Sequence, residues 1–232
     1  MDSPTTWDNS VPHMISIIVT LFTVLNLGLP VPVQASQVVR ASKPLVLIPN
    51  PKPEVASSSE KTKAVVKSIP DVTFYSQFKD IQAPDWKKIG CGVTSLAMII
   101  DYYKPDTVSV NTLLKQGIKN GAYLKNAGWT YNGLISLGNK YGLDGESYDL
   151  ASQSDASAFK KLGLYLKDGP IIASVHYKFD PKSTIPHLVV ITGIEKGLIY
   201  YNDPAAKIGG KTISSSDFLK AWKKRFIVIR PV

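Results

Sequence analysis

The sequence has little of the residues that form disulfides and metal centres. Its 232 residues contain one cysteine, Cys91, and only three histidines. A lone cysteine cannot form a disulfide within the chain, and it excludes the zinc sites that are built from several thiolates. The sequence also lacks a phosphate-binding glycine loop and any nucleic-acid-binding motif. We therefore predict no metal, no cofactor and no nucleic-acid partner.

Long apolar runs are scarce as well. Residues 14–29 form one nearly unbroken run of about 16 residues, whereas a membrane span needs about 20. Such a run is typical of a signal-peptide core, and Val33-Gln34-Ala35 fits a cleavage site. We predict a signal peptide at residues 1–35 and a secreted or cell-surface protein. Two alternatives stay open: an uncleaved membrane anchor, or translation from Met14, since no Lys or Arg precedes the run.

Composition divides the rest of the chain into two regions. Residues 36–68 are rich in Pro, Ser, Val and Lys and have no sustained periodicity, which is typical of a flexible linker. A propeptide that covers the active site until it is removed is the alternative. Residues 69–232 are numerous enough for one domain with its own hydrophobic core.

Acidic residues are outnumbered throughout. There are 18 Asp and Glu against 27 Lys and Arg, a formal net charge of +9. The basic residues are spread out, with one cluster at Lys223-Lys224-Arg225. A basic exported protein is attracted to anionic polymers of the cell envelope, so we predict such a polymer as a partner beside a peptide or protein substrate.

The single cysteine stands where a helix is predicted to begin. Glycines flank Cys91, and apolar residues then recur at spacings of three and four, at Val93, Leu96, Ala97 and Ile100. A thiol at a helix N-terminus meets the positive end of the macrodipole and unpaired N–H groups, and both favour the nucleophilic thiolate. The other ordinary role of a free cysteine is that of a small buried apolar residue.

A histidine and an aspartate are predicted to meet on a β-hairpin. His187 opens an apolar run, and residues 198–202 form a second strand that ends at Asp203. A three-residue loop would pair Val189 with Asp203 and place the imidazole and the carboxylate on one face, within reach of each other. A two-residue loop would place them on opposite faces. His176 is the rival base, but only Asp180 lies near it in sequence.

Cys91, His187 and Asp203 supply the three groups of a nucleophilic triad. An imidazole beside the sulfur holds the thiolate, and a carboxylate on the other ring nitrogen fixes the tautomer and the ring angle. We predict these three residues as catalytic.

Residues 69–232 resemble the stand-alone bacterial relatives of the bacteriocin-leader (double-glycine) processing cysteine peptidases, which belong to the papain-like clan. The matching segments occur in the expected order: Asp71–Gln77, Gly90–Met98, Tyr141–Leu143, Asp168–Ile172, the strand from His187, and Tyr201–Pro204. The resemblance implies an α+β fold of papain-like type, in which an N-terminal helical part packs its nucleophile helix on a C-terminal antiparallel sheet.

The same resemblance implies a glutamine that donates a hydrogen bond to the oxyanion. Gln77 matches the family motif best, and Gln82 is the alternative. The papain-like position six residues before the cysteine holds Asp85 instead.

Hydrophobic periodicity predicts the remaining elements. We expect helices at residues 92–103, 110–120, 130–141, 156–167 and 215–224, and strands at 171–175, 188–194, 198–202 and 226–229. Early helices followed by late strands favour an α+β fold over a doubly wound sheet. Core packing is the default role of aromatic residues in a domain of this size. Several are nevertheless candidates for a substrate cleft, and Trp86 is a candidate for its edge: Tyr75, Trp86, Trp129, Tyr131 and Tyr177.

The predicted function is that of an exported thiol hydrolase that cleaves peptide bonds through an acyl-enzyme. One alternative is an amidase or transpeptidase of the same clan that acts on peptidoglycan or isopeptide bonds. Another is a non-catalytic module that binds peptides or wall polymer.

Overall fold

The computed structural model describes residues 68–125 and 127–232. The predicted signal peptide (1–35) and the predicted linker (36–68), apart from Ser68, lie outside the described residues. Among the helices of the described ranges, none combines the length and the hydropathy needed to cross a membrane.

Helices dominate the first half of the domain and strands the second. The helices are α1 (Gln77–Asp80), α2 (Cys91–Tyr103), α3 (Val110–Lys119), α4 (Tyr131–Asn139), α5 (Asp155–Leu166) and α6 (Ser215–Ala221). The strands are β1 (Tyr123–Leu124), β2 (Gly128–Trp129), β3 (Leu143–Asp149), β4 (Ile171–His176), β5 (Pro186–Glu195), β6 (Leu198–Asn202), β7 (Lys211–Ser214) and β8 (Trp222–Pro231). The predicted α+β class is confirmed.

Six of these strands form one antiparallel sheet with the order β3-β8-β4-β5-β6-β7. Helices cover both faces. On one face α2 packs on β5, and the buried apolar side chains of α2, α3 and α4 meet those of the sheet. On the other face a second core holds the apolar sides of α5 and α6. Residues 92–101 of α2 are all buried, so the predicted nucleophile helix is the central helix of the domain.

The prediction of a helix over residues 215–224 is wrong at its C-terminal end. Helix α6 stops at Ala221, and Trp222 already belongs to β8. The reason is tertiary: β8 lies between β3 and β4 and hydrogen-bonds to both, which outweighs the local helical pattern. Strands β3 and β7 were not predicted, because their polar sequences lie at the sheet edges and lack an alternating apolar pattern.

The predicted three-residue hairpin loop is also wrong. Glu195 pairs with Leu198, so the loop is Lys196-Gly197 alone, and both residues adopt positive φ angles of 49° and 78°. Two residues with positive φ are typical of the type I′ turn that joins tightly paired strands.

A β-bulge further along the hairpin compensates for the shorter loop. The register shifts between Ile191 and Gly193, after which Val190 pairs with Asn202. One inserted residue reverses the facing of everything beyond it. The end of the hairpin therefore returns to the predicted register, and His187 and Asp203 share a face.

Candidate active site

Cys91 is the first residue of α2. Its side chain is partly exposed, and Gly90 occupies the N-cap position. The first intrahelical bond of the helix runs from the amide of Thr94 to the carbonyl of Gly90. The amides of the preceding residues, including that of Cys91, therefore have no intrahelical acceptor and are available to an anion.

The helix face that carries Cys91 lies against the start of β5. Ser95, one turn further along, is fully buried and donates from Oγ to the carbonyl of Leu188 at 3.3 Å. Residues four apart share a helix face, so this bond holds the turn below Cys91 beside the residue that follows His187.

His187 and Asp203 form a buried pair. Nε2 of His187 lies 2.6 Å from Oδ1 of Asp203, and the two residues are 3% and 9% exposed. The same Oδ1 accepts the N–H of Ala205 at 2.8 Å. Since Nε2 faces the carboxylate, the second ring nitrogen, Nδ1, remains for Cys91. Tyr177 packs edge-on against the imidazole.

The pKa values of this pair are shifted in the directions of an ion pair. Burial disfavours the imidazolium of His187, but hydrogen bonds to Asp203 and to Cys91 outweigh it and raise the pKa of His187 to about 9. Burial also opposes ionisation of Asp203, yet the bond and charge of His187, the N–H of Ala205 and the charge of Lys211 hold the pKa of Asp203 below its ordinary value. Both shifts favour a positive imidazole beside a negative carboxylate.

Of the two candidate glutamines, only Gln77 lies at the site. Gln77 is buried and lines the same cleft as Cys91. Its Nε2 donates to the carbonyl of Lys87 at 2.8 Å, whereas its Oε1 is buried without a partner. Because the carbonyl of Lys87 can only accept, the side-chain amide of Gln77 must direct its nitrogen towards it. One of the two Nε2 hydrogens makes this bond, and the second has no acceptor. Gln82 is exposed and does not line the cleft.

A short segment, residues 72–77, ties Gln77 to the loop that carries Asp203; we call it the N-terminal strap. Three hydrogen bonds hold it to residues 202–206: Asn202 Nδ2 to the Val72 carbonyl at 2.9 Å, Ser76 Oγ to the Ala206 carbonyl at 3.1 Å, and the Gln77 amide to the Pro204 carbonyl at 2.9 Å.

Cys91, His187 and Gln77 open into one cleft with a volume of about 730 Å³. Three of the five candidate aromatic residues line it: Trp129, Tyr131 and Tyr177. Tyr75 and Trp86 do not, and Trp86 instead packs behind the wall, edge-on to Tyr123 and tilted against Trp129. Trp86 is therefore a core residue, which was the default expectation, rather than a residue of the cleft edge.

His176, the rival base, is directed elsewhere. Its Nδ1 bonds to the carbonyl of Ser183 at 2.6 Å, and it does not line the cleft. Several residues that line the cleft were not predicted from the sequence: Lys88, Ile89, Ser174, Ile185, Lys223 and Arg225. Their only sequence signal was proximity to a predicted motif or to the basic cluster.

Comparison with known proteins shows the family of the domain. The model of the Peptidase C39-like family matches residues 69–226, more than half of the chain. The chain belongs to the Peptidase C39-like family. The resemblance to double-glycine processing peptidases is thereby confirmed, and membership of this family supports a peptidase at the level of the family.

Two curated relatives match the C39-like chain. It is 28% identical over 141 residues to PedD, the pediocin PA-1 transport/processing ATP-binding protein of Pediococcus acidilactici, covering 61% of this chain and 17% of PedD. It is 29% identical over 203 residues to the uncharacterized protein YvpB of Bacillus subtilis (strain 168), covering 73% of this chain and 77% of YvpB. The chain thus spans less than a fifth of PedD, and the domain is what the two share.

Solved structures show the same fold. A double-glycine motif protease from an AMS/PCAT transporter, in complex with its leader peptide, is 22% identical with a TM-score of 0.50 and covers 72% of this chain and 97% of that one. A C39-like peptidase from Bacillus anthracis is 19% identical with a TM-score of 0.50, covering 71% and 96%. These likenesses support the papain-like architecture.

Proposed function

We propose that this protein is an exported cysteine peptidase that hydrolyses peptide bonds through a Cys91–His187–Asp203 triad and an acyl-enzyme. The observation that carries the proposal is the buried His187, whose Nε2 bonds to Asp203, while Cys91 at the N-terminus of α2 helps to raise the pKa of its imidazole. A thiol, an imidazole and a carboxylate in that order are the elements of an activated nucleophile.

The chemistry follows from this order. Cys91 attacks the acyl carbonyl as a thiolate, with His187 as the imidazolium. His187 then protonates the leaving amine, and a water molecule activated by the neutral imidazole attacks the thioester and regenerates the thiol. Asp203 holds the ring in place and stabilises its positive charge.

The oxyanion of the tetrahedral intermediate would bind between two donors. One is the unused Nε2 hydrogen of Gln77, and the other is the backbone N–H of Cys91. Donors held in position before the reaction stabilise the developing charge most effectively. The buried bond from Gln77 to the Lys87 carbonyl provides that rigidity.

A peptide substrate fits the walls of the cleft. Three apolar side chains that line the cleft are partly exposed: Phe78 by 41%, Ile89 by 37% and Ile185 by 57%. This exposed apolar surface is suited to contact with a peptide. The related double-glycine motif protease was solved with a leader peptide, which supports a peptide as the class of substrate.

Export is the part of the proposal that rests on sequence alone. The apolar segment 14–29 and the tripeptide before Ser36 support it. Secreted protein whose first residue is Ser36 is the expected result; protein that stays membrane-bound with residues 1–35 intact would contradict cleavage.

The experiment that tests the triad measures Cys91 alkylation by iodoacetamide from about pH 4 to about pH 9, a range that includes the free-thiol pKa of about 8.5. We expect fast labelling at the acidic end in the wild type, lost in His187→Ala. His176→Ala is the matched control and should label like the wild type, because His176 is directed to Ser183.

Slow labelling that rises only near the free-thiol value in all three proteins would overturn the triad. Peptide hydrolysis is the second readout, and Cys91→Ala should abolish it while the far-UV circular dichroism is unchanged. An intact ion pair without hydrolysis of any peptide would contradict a peptidase and favour a binding module.

A further inference from the structure

The cleft is lined by basic residues, and no acidic residue lines it within the ranges 68–125 and 127–232 that the structure describes. Among the residues that line it are Lys88, Lys223 and Arg225, whereas no Asp or Glu does so. Two carboxylates bind residues that line the cleft: Asp203 bonds to His187, and Asp149 bonds to Arg225. A cleft lined by charges of one sign concentrates ligands of the opposite sign.

A bulge in β8 brings two of these cations to the cleft. Opposite the adjacent residues Ser174 and Val175 of β4, the partners on β8 are Arg225 and Trp222, so that two residues are inserted between them. The second inserted residue, Lys224, has a φ of 54°, a left-handed conformation that is unfavourable for lysine. Strained bulges of this kind occur beside functional sites, where they redirect side chains.

The two inserted lysines have different surroundings. Lys224 bonds to the Gln153 carbonyl and to Asp155, each at 2.8 Å, away from the cleft. Lys223 lines the cleft and forms no ion pair with any residue in the part of the chain that the structure describes. Lys224 is thus neutralised by Asp155, whereas Lys223 keeps its charge in the cleft that also contains Cys91.

Arg225 keeps donors free although it is paired. Only its Nε bonds to Asp149, at 2.8 Å, and a guanidinium has five N–H donors. Beside it on the cleft floor are the hydroxyl of Ser174, which is 4% exposed, and the ring of Tyr131 at the start of α4. Lys223 and the remaining N–H groups of Arg225 thus form a set of cationic donors without an acceptor among the residues that the structure describes.

We propose that the cleft binds a carboxylate of the substrate close to the scissile bond, through Lys223 and Arg225 on one side and Lys88 on the other. The inference rests on the proposed function for its substrate and adds the chemical class that the enzyme selects. The carboxylate comes either from an acidic side chain or from a free C-terminus.

The first experiment measures the charge of the cleft without any substrate. Cys91 is alkylated with iodoacetate, which is anionic, and with iodoacetamide, which is neutral, and the ratio of the two rate constants is compared between variants. The thiolate fraction cancels in this ratio. Lys223→Gln should lower it about twofold, as Coulomb's law gives for unit charges about 8 Å apart in water. Arg225→Gln should lower it by less, because Asp149 offsets part of the charge of Arg225.

Two controls lose the same charge elsewhere. Lys224→Gln alters the neighbouring residue of the bulge, whose ammonium group is paired with Asp155, and Lys115→Gln alters an exposed residue of α3 outside the cleft. Both should keep the wild-type ratio. A ratio that is the same in all five proteins, or that falls equally in the controls, would overturn the proposal.

The second experiment compares matched peptides. Capped peptides with Glu or Gln on either side of the scissile bond test the side-chain source, and free-acid and amide forms of a short peptide test the C-terminal source. The preferred carboxylate should raise kcat/KM about tenfold, the effect of one charge-assisted hydrogen bond, and Lys223→Gln should reduce that preference.

The outcomes separate this inference from the proposed function. If no peptide is hydrolysed, the peptidase fails while the alkylation ratio still decides the charge of the cleft. If peptides are hydrolysed but Glu and Gln, and acid and amide, are equivalent, the carboxylate proposal fails. Protection of Cys91 from both reagents by an anionic wall polymer, with no discrimination between peptides, would assign the cations to polymer binding and also contradict it.

Discussion

His187 on β5 and Asp203, which directly follows the neighbouring strand β6, share a buried hydrogen bond of 2.6 Å and are 16 residues apart in sequence. The bond fixes the imidazole, because Asp203 is itself held by the N–H of Ala205. It also sets the charge of the ring, so the pair affects stability as well as chemistry.

Stability is expected to depend on pH through this pair. The pKa of His187 is raised from 6.5 to about 9 in the folded state, so its contribution is complete below about pH 6.5 and is lost as the pH rises towards 9. The pKa of Asp203 is lowered from 3.8, so its contribution is present above about pH 4 and is lost as the pH falls. Urea unfolding across this range should show maximal stability between these limits.

The size of the alkaline decline has an upper limit of about 3 kcal/mol. Asp203→Asn should flatten it, because the neutral amide no longer favours the imidazolium. His176→Ala should leave the profile unchanged. A wild-type stability that stays constant between about pH 6.5 and 9 would show that His187 does not carry the raised pKa.

Removal of the base should reduce activity more than removal of the carboxylate. His187→Ala eliminates both proton transfers, which are together worth roughly 10²- to 10⁴-fold in rate. Asp203→Ala leaves the imidazole in place but frees its ring, so the loss in kcat should be smaller. Steady-state kinetics on one peptide tests the ranking, and the reverse order would mean that the two roles are misassigned.

Gln77→Ala is expected to lower kcat by about 10²- to 10³-fold, the usual effect of one oxyanion donor. Iodoacetamide labelling of Cys91 should be unaffected, since no oxyanion forms in that reaction. Gln82→Ala is the matched control: Gln82 is exposed and bonds to Asn111 through its backbone amide, which the substitution keeps. Equal kcat values for the two variants would exclude Gln77 as the donor.

The glycine after the nucleophile has no space for a side chain. A Cβ at Gly92 would lie 2.5 Å from Cγ of Trp129, which donates from Nε1 to the Ile89 carbonyl and lines the cleft. Gly92→Ala should therefore displace Trp129 and lower both stability and activity. Gly163→Ala in α5 meets nothing within 4 Å and should stabilise the domain by roughly 0.5–1 kcal/mol. Equal free energies of unfolding in urea for the two variants would contradict this packing.

Sequence reasoning placed the site better than it placed the strands that hold it. Cys91 was recognisable because flanking glycines and a helical apolar pattern are local signals. The relation of His187 to Asp203 was predicted from a three-residue loop, and the structure reaches the same relation through a two-residue loop and a bulge at Thr192. The loop is one residue shorter than predicted and the bulge adds one residue, so the two differences cancel. The hydrophobic pattern indicated neither of them.

The residues that were missed are those whose position depends on distant pairing. Lys223 and Arg225 were part of a basic cluster at the end of a predicted helix, and nothing local indicated that β3 and β4 would draw them into a sheet. Trp86 stands just before Cys91 in the sequence, whereas Trp129 follows α3 and had no sequence signal that linked it to Cys91. Only the packing of Trp129 on Gly92 decides which of the two forms the cleft wall.

Two of the three hydrogen bonds of the N-terminal strap join residues that are 130 positions apart. Chains are synthesised from the N-terminus, so Gln77 and Cys91 are made long before the strands that carry His187 and Asp203. Until those strands pair, the thiol has no base and the glutamine has no fixed orientation. Under the proposed mechanism, the unfinished chain would therefore hydrolyse no peptide until the last strands close the sheet.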